Sequence, residues 1–273
     1  MAEITVGTWN AHNSFGTERV GEALEVVKRM DADVLYVAEM TDIASTYNDH
    51  AQKARANLES QGYRGITTEY ADKEGVRNAH TMGLYVRGTD GELVRHRLGD
   101  RFGLSVVCGD LAVRGCHLPD EAEHKRWPAA KELAELRHET DEMIAMGDFN
   151  AMYRSDTKAV VAHMGGRLSR AIGMRVKDYY NTANPFQRAV GKALRSSDMG
   201  VGETMAILES AGLHDADPSH QPTVHQHGLS FAIDHILGSS GVTFTDFTLY
   251  DRSVRGGRPL SDHNPLSAVA SFR

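Results

Sequence analysis

The sequence predicts an α/β domain in which two face-packed β-sheets are covered by outer helices. Three observations predict it. Short strand-like runs, alternating or wholly apolar, recur from Ile4 to Phe272. Segments with helical spacing of apolar residues fall between them. No repeat, linker or low-complexity segment divides the 273 residues, 41% of which are hydrophobic. A chain of that length can bury one large core or two smaller ones. Stacked sheets with helices outside bury both kinds of element in one body.

The elements follow in order. Ile4, Val6 and Thr8 alternate with Thr5, Gly7 and Trp9, a half-buried strand that ends at Asn10. Thr17 is the expected cap of a helix whose apolar positions Val20, Leu24 and Val27 share a face. Val34–Ala38 is a continuous apolar run, the mark of a buried strand, and ends at Glu39. Thr81–Val86 and Leu93–Arg97 are strands about a turn at Gly88–Gly91. Leu104–Cys108 and Leu111–His117 flank Gly109–Asp110, a hairpin signal. That register sets Cys108 opposite Leu111 and Cys116 opposite Gly103, so the two cysteines do not face each other. A helix follows, with Pro128 near its start and Ala130, Leu133 and Ala134 inside. Met143–Gly147 is a strand that runs into Asp148-Phe149-Asn150. Residues 151–200 hold no clear strand. Asn184-Pro185 starts a helix there, with Phe186, Val190 and Leu194 on one face and Arg188, Lys192 and Arg195 on another. Glu203–Ala211 is a helix closed by Gly212. Phe231–Leu237 alternates and puts Asp234 and His235 on opposite faces. Val242–Tyr250 and Ala268–Phe272 complete the strands.

Composition excludes several classes. No apolar run approaches the roughly 18 residues of a membrane span, and MAEITVGTWN lacks the basic flank and apolar stretch of a signal peptide. Two cysteines make neither a zinc spacing nor a disulfide framework, so a reducing cytoplasm is the expected location. Formal net charge is -7, but residues 151–200 hold nine Lys/Arg against three Asp/Glu. An acidic body with one basic segment suits a metal site beside a phosphate-binding surface, and equally an ordinary solvated helix face.

Polar groups recur at strand ends. Asn10, Glu39, His117, Asp148 and Asn150, and Asp262 and His263 all stand where a rigid scaffold presents reactive groups. Singly, each is an ordinary turn residue. Together they fall within GTWNAHN at 7–13, DVLYVAEM at 33–40, RGCHLPD at 114–120, MGDFNAM at 146–152, FAIDHIL at 231–237 and LSDHNPL at 260–266. In this order the segments resemble the motifs of the endonuclease/exonuclease/phosphatase superfamily, and GDFN and SDHNP are the most specific. The resemblance spans nearly the whole chain. It implies one domain over 1–273, a four-layer sandwich of two mixed sheets flanked by helices, with a basic helical insertion at about 153–200.

The resemblance also implies chemistry. Phosphodiester hydrolysis needs a deprotonated water, charge compensation on the phosphoryl oxygens and a stabilised leaving oxygen. By family position Glu39, Asp262 and Asn10 are the metal ligands, and such oxygen donors suit Mg²⁺ (or Mn²⁺). His263 matches the catalytic histidine and Asp234 the carboxylate that orients it. Asp148 matches the residue that positions or deprotonates water. Asn150 contacts a phosphate oxygen or steadies Asp148. Either Asp148 or His263 can be the base. His117 matches the second histidine of the deoxyribonuclease-like and sphingomyelinase-like branches, as proton donor or phosphate contact. Position 41 is threonine where deoxyribonuclease-like members carry arginine, a departure from the duplex-cutting pattern.

Nucleic acid is the expected substrate. Arg77, Asn78, Arg188, Lys192 and Arg195 are candidate phosphate contacts, and Tyr179, Tyr180 and Phe186 are candidate stacking residues. The alternatives are a small-molecule or lipid-headgroup phosphoesterase and, last, a catalytically silent binding module. Few large apolar residues are available for membrane insertion, and no protein partner is inferred. His12, His225, His227 and His235 are expected to be local or surface groups.

Overall fold

The alternating segment at the start becomes β1 (Ala2–Asn10), and its odd and even faces bury against different layers. The computed structural model describes residues 2–42, 49–68, 80–120, 123–156, 202–226, 229–254 and 257–273. β1 lies between β2 (Val34–Asp42), parallel to it, and β14 (Leu266–Phe272), antiparallel. β4 (His80–Arg87) and β3 (Tyr63–Thr67) extend this first sheet beyond β2, and β13 (Thr243–Leu249) extends it beyond β14. The second sheet runs β5 (Glu92–Leu98), β6 (Arg101–Cys108), β7 (Leu111–His117), β8 (Glu142–Asp148), β12 (Asp234–Gly238) and β9 (His214–Asp215). β7 and β8 are parallel, and the other neighbours are antiparallel. β10 (Val224–Gln226) and β11 (Leu229–Phe231) form a separate ribbon.

Both sheets are mixed and pack face to face. Val6, Tyr36, Met82 and Leu84 of the first meet Leu104, Val113, Ile144, Met146 and Ile236 of the second. Tyr36 is fully buried and its hydroxyl donates to Met82 Sδ at 3.0 Å. Two glycines of the second sheet make room for its ring. A Cβ on Gly115 would stand 2.1 Å from the Tyr36 ring. One on Gly147, whose φ is 144°, would stand 1.9 Å from the Cys116 carbonyl oxygen. Only glycine adopts that backbone without strain.

Helices cover the outer faces. α1 (Val20–Met30) and α2 (Asp49–Ser60) lie on the first sheet, where Val27, Met30 and Leu58 bury with Trp9, Leu35 and Tyr85. α3 (Glu123–Leu136) and α4 (Glu203–Ser210) lie on the second, where Leu133, Met205 and Leu208 bury with Met143 and Phe149. The result is the four-layer α/β sandwich that the motifs imply. The hairpin register sets Cys108 opposite Leu111, and both cysteines are free thiols.

Five local expectations need correction. The strand from Val34 does not end at Glu39: β2 continues to Asp42, with Glu39 inside it at an irregularity in its pairing with β4. Thr17 does not cap α1: Arg19 occupies the N-cap without a side-chain bond, while the Thr17 hydroxyl accepts from the Arg19 N–H at 3.2 Å. Pro128 is not at the start of α3 but inside it, where it lacks the N–H that a helix interior uses. Phe231–Leu237 is not one strand. β11 ends at Phe231, and the chain crosses through Ala232 and Ile233 before β12. His235 is not at the surface: it is 2% exposed, its Nδ1 lies 2.7 Å from Asp215 Oδ2, and its Nε2 meets the Ala151 carbonyl at 3.0 Å.

His96 on β5 carries a pH signature. Burial, and then the nearby Arg114, push its pKa down to about 4. An unfolded histidine titrates near about 6.5. As pH falls through that window the unfolded chain takes up a proton that the folded chain refuses, so stability declines by up to about 3 kcal/mol. Urea midpoints at neutral and acid pH should show a smaller acid loss in His96→Gln than in the parent. Equal losses would place the sensitivity in other groups.

Candidate active site

Three strands of the second sheet set the site by register. Asp148, the last residue of β8, is paired with His117 of β7 on one side and Asp234 of β12 on the other. Directly opposed residues share a face of a sheet, so all three project together. Gly147, Cys116 and His235 occupy the preceding rung and face the other way. Thr223 fixes the start of β12, its hydroxyl accepting from the N–H groups of Ile233 at 3.2 Å and Asp234 at 3.1 Å.

The first sheet supplies the opposing wall. Asn10 closes β1, and its Nδ2 donates to Asp148 Oδ2 at 3.0 Å across the two sheets. β2 carries an irregularity in its pairing with β4 between Val37 and Thr41. Glu39 sits within it at φ 45°, in the left-handed region. Bulges re-aim side chains next to functional sites, and here Glu39 Oε1 comes within 3.6 Å of His117 Nε2. The loop after β1 crosses over this point, with the Asn13 N–H donating to the Glu39 carbonyl at 2.7 Å.

The segment before β14 brings the last pair. Ser261 Oγ donates to the Asn10 carbonyl at 2.8 Å and accepts from the His263 N–H at 3.0 Å. Trp9 Nε1 donates to the His263 carbonyl at 3.2 Å. His263 Nδ1 then faces both Asp234 oxygens, at 3.0 and 2.8 Å. That pairing fixes the ring and leaves Nε2 3.9 Å from both Asp148 Oδ2 and Asp262 Oδ1.

Asp148 is the hub. Oδ2 receives Asn10 and lies 3.6 Å from His117 Nε2, while Oδ1 accepts the Asn150 N–H at 2.8 Å. Asn150 reaches this position at φ 49°, and its amide donates to the Leu118 carbonyl at 3.0 Å. Burial and the neighbouring Asp234 push the Asp148 carboxyl up to about 7. Burial pushes His263 down, but Asp234, Asp148 and Asp262 outweigh it and carry the ring up to about 10. Burial, with the positive charge of Arg101 next, holds His117 well below its ordinary range. One histidine of the site is therefore charged near neutrality, and the other is neutral.

The structure thus gathers Asn10, Glu39, His117, Asp148, Asn150, Asp234, Asp262 and His263 at one end of the sandwich. Arg77, Asn78, Arg188, Lys192 and Arg195 lie outside the described residues, as do Tyr179, Tyr180, Phe186 and His227. Two neighbours escaped the sequence reading, and His12, set aside there as a local or surface group, is a third. His80 Nε2 lies 3.9 Å from Glu39 Oε2. Arg101 contributes charge at His117 and lies 3.5 Å from Asp120. His12, though exposed, places Nδ1 3.3 Å from Asp262 Oδ1. His80 and Arg101 begin strands rather than end them, but those strands are antiparallel to β2 and β7 and so start at the same edge.

Asp148, Asp234 and His263 offer ligand atoms within 4.8 Å of one another, a grouping that could hold a metal ion. In the arrangement described, Asp234 and His263 are engaged with each other.

A family model described as the Endonuclease/Exonuclease/phosphatase family matches residues 7–263. The chain belongs to this family. Its members hydrolyse phosphoester bonds. No curated protein sequence matches the chain significantly. Among solved structures, it is similar to the 3′ phosphatase NExo from Neisseria bound to product DNA hairpin, with TM-score 0.62, 15% identity and 99% of each chain covered. It is also similar to ANGEL2, a 2′,3′-cyclic phosphatase in complex with adenosine-2′,3′-vanadate, with TM-score 0.61, 14% identity, and 99% of this chain and 96% of that chain covered. A truncated Caenorhabditis elegans TDP2 matches at TM-score 0.56 and 15% identity, over 99% of this chain and 98% of that chain. Likeness at these identities concerns the fold. Among the described residues no helix is long and apolar enough to cross a membrane.

Proposed function

We propose that this chain cleaves phosphodiester bonds of nucleic acid by attack of water, with Mg²⁺ (or Mn²⁺) as cofactor. The observation that carries the reading is the cross-strand rung His117–Asp148–Asp234 closed by His263. It puts an oriented imidazole, a buried carboxylate and a neutral imidazole around one space. The names of the similar structures support a nucleic-acid ligand: one is bound to a DNA hairpin and another to an adenosine vanadate.

Glu39 and Asp262 have carboxylates about one-fifth exposed at the rim of the cluster, and Asn10 adds an amide beside them. This all-oxygen set fits a hard divalent cation. Glu39, Asp262 and Asn10 would hold it, and when bound it offsets charge on the phosphoryl oxygens.

The protein groups divide the remaining work. Asp148, pinned by Asn10 and by the Asn150 N–H, positions the water and takes its proton. A carboxyl pushed up to about 7 is well matched to that task near neutrality. His263, held as an imidazolium by Asp234, directs its Nε2–H at a phosphoryl oxygen, where developing charge is greatest. Neutral His117 stands opposite as a hydrogen-bonding contact to the phosphate, and the leaving oxygen takes its proton from water. Asp234 keeps the Nδ1 proton in place and so fixes which nitrogen faces the substrate.

A second reading, a phosphatase removing a terminal or smaller phosphoester, is favoured by the phosphatase names among the similar structures. Plasmid, single-stranded DNA, RNA, a 3′-phosphorylated strand and a generic bis-phosphodiester, each with Mg²⁺, Mn²⁺ or EDTA, separate the two. Metal-dependent scission within a polynucleotide is the expected result. Release of inorganic phosphate alone would establish the second reading, and silence on every substrate would defeat both.

A further inference from the structure

The two sheets present facing edge strands, β3 and β5. Between them, under α2, is a cavity of about 530 Å³. Arg55 of α2, Ile66 and Thr67 of β3, Tyr85, Leu93 and Arg95 line it. None of the catalytic residues does. Ile66, Tyr85 and Leu93 give it apolar walls, Arg55 and Arg95 are its cations and Glu59 is its acid.

β5 extends this cationic lining toward the catalytic end. Arg95 is opposite Leu104 and Arg97 is opposite Phe102, so both share the face that Leu104 and Phe102 bury between the sheets. Both arginines are exposed. Arg95 lies over the Phe102 ring, 5.1 Å from its centroid, and makes no hydrogen bond or ion pair among the described residues. Arg97 donates Nε to the Gly99 carbonyl of its own turn at 2.9 Å and has no acidic partner among the described residues. Glu92, the acid of this strand, faces the other way. Arg101, beside Phe102 on β6, is opposite Leu98 and so belongs to the alternate face.

We propose that this edge is the track for a single strand of nucleic acid leading toward the catalytic end, with phosphates passing Arg97 and Arg95 and a base entering the cavity. Alternate residues of a strand are spaced by roughly 6.6 Å, close to the step between successive phosphates of an extended strand. Arginine forks match phosphate oxygens. An aromatic or apolar side chain, such as those of Tyr85, Ile66 and Leu93, packs on the face of a base whatever its identity. The proposal rests on the nucleic-acid reading above and extends it to strandedness and path.

The test is the affinity of the full chain for a fluorescent 20-nucleotide single strand, measured by anisotropy across a salt series. Parent, Arg95→Glu/Arg97→Glu and Arg95→Lys/Arg97→Lys proteins are compared, with thermal midpoints as a folding control. Each lost phosphate contact lowers the salt slope by about 0.7. The glutamate pair should weaken binding at least about tenfold and flatten the slope by about 1.4, while the lysine pair retains most of both. Parent-like affinity and slope in the glutamate pair would overturn the track while leaving nuclease activity of the parent standing. A parent that neither binds nor cuts any polynucleotide would overturn the nucleic-acid reading and the track with it.

Discussion

Replacing His263 by alanine is expected to lower kcat by about 10²–10⁴-fold, the range for losing a positioned proton-transfer or charge-stabilising group. This corresponds to about 3–5 kcal/mol of transition-state stabilisation. KM should change much less, because the ring's Nε2 faces the reacting centre rather than a distant binding surface. The variant also leaves Asp234 buried without its imidazole, and removing one member of a buried pair destabilises by about 3–5 kcal/mol. Asp234→Asn in the same background removes the stranded charge. The double variant should therefore regain part of the lost stability while staying inactive. Asp234→Asn alone should lose activity with an intact fold, because an amide no longer enforces which imidazole nitrogen carries the proton. Thermal midpoints and steady-state kinetics on the three proteins check the scheme. Full activity in Asp234→Asn would remove Asp234 from the orienting role.

The second large effect is expected at Glu39. Glu39→Gln keeps the shape of the side chain and removes its charge. Glu39 stands at the bulge in β2 with His117 at 3.6 Å and His80 at 3.9 Å, and its carboxylate is 19% exposed. Its strained backbone is carried by neighbours such as the Asn13 N–H rather than by its side chain. Turnover at fixed low metal should fall by about 10²-fold or more, and raising the metal concentration should restore part of it. Stability should stay within about 1 kcal/mol of the parent, and rise if it moves at all, since one carboxylate leaves a like-charged cluster. A metal titration of activity beside a urea melt reads both. Unchanged turnover at low metal would show that Glu39 is not a ligand.

How much of this was legible depended on where physical constraints leave a trace in residue order. β7 was read residue for residue, because a glycine hairpin fixes its start and the polar His117, followed by Leu118-Pro119, marks its end. The strand ends at Asn10, His117 and Asp148 were legible because a polar group closes each run, whereas Glu39 marks a bulge inside β2 rather than its end. α2 was not, since its buried face is Ala51, Ala54 and Leu58, too small a signal among charged neighbours. The break between Phe231 and Asp234 was hidden because alternation continues through it; what divides the strands is the Thr223 hydroxyl, distant in sequence. His80 and Arg101 were missed because only the sheet topology brings the starts of antiparallel strands to the same edge as the ends of β2 and β7. His235 was misplaced for a related reason. Its rung faces the outer layer, where Asp215 from β9 supplies a buried partner that no local pattern reveals.

The central claim is that the cluster around Asp148 hydrolyses a polynucleotide with the help of a divalent cation. Its most direct test is single-turnover cleavage of an end-labelled single strand, titrated with Mg²⁺ and repeated in EDTA, for the parent and His263→Ala side by side. The account predicts cleavage that saturates with Mg²⁺, stops in EDTA and is nearly absent in the variant. Cleavage that persists undiminished in EDTA, or in His263→Ala, would contradict it.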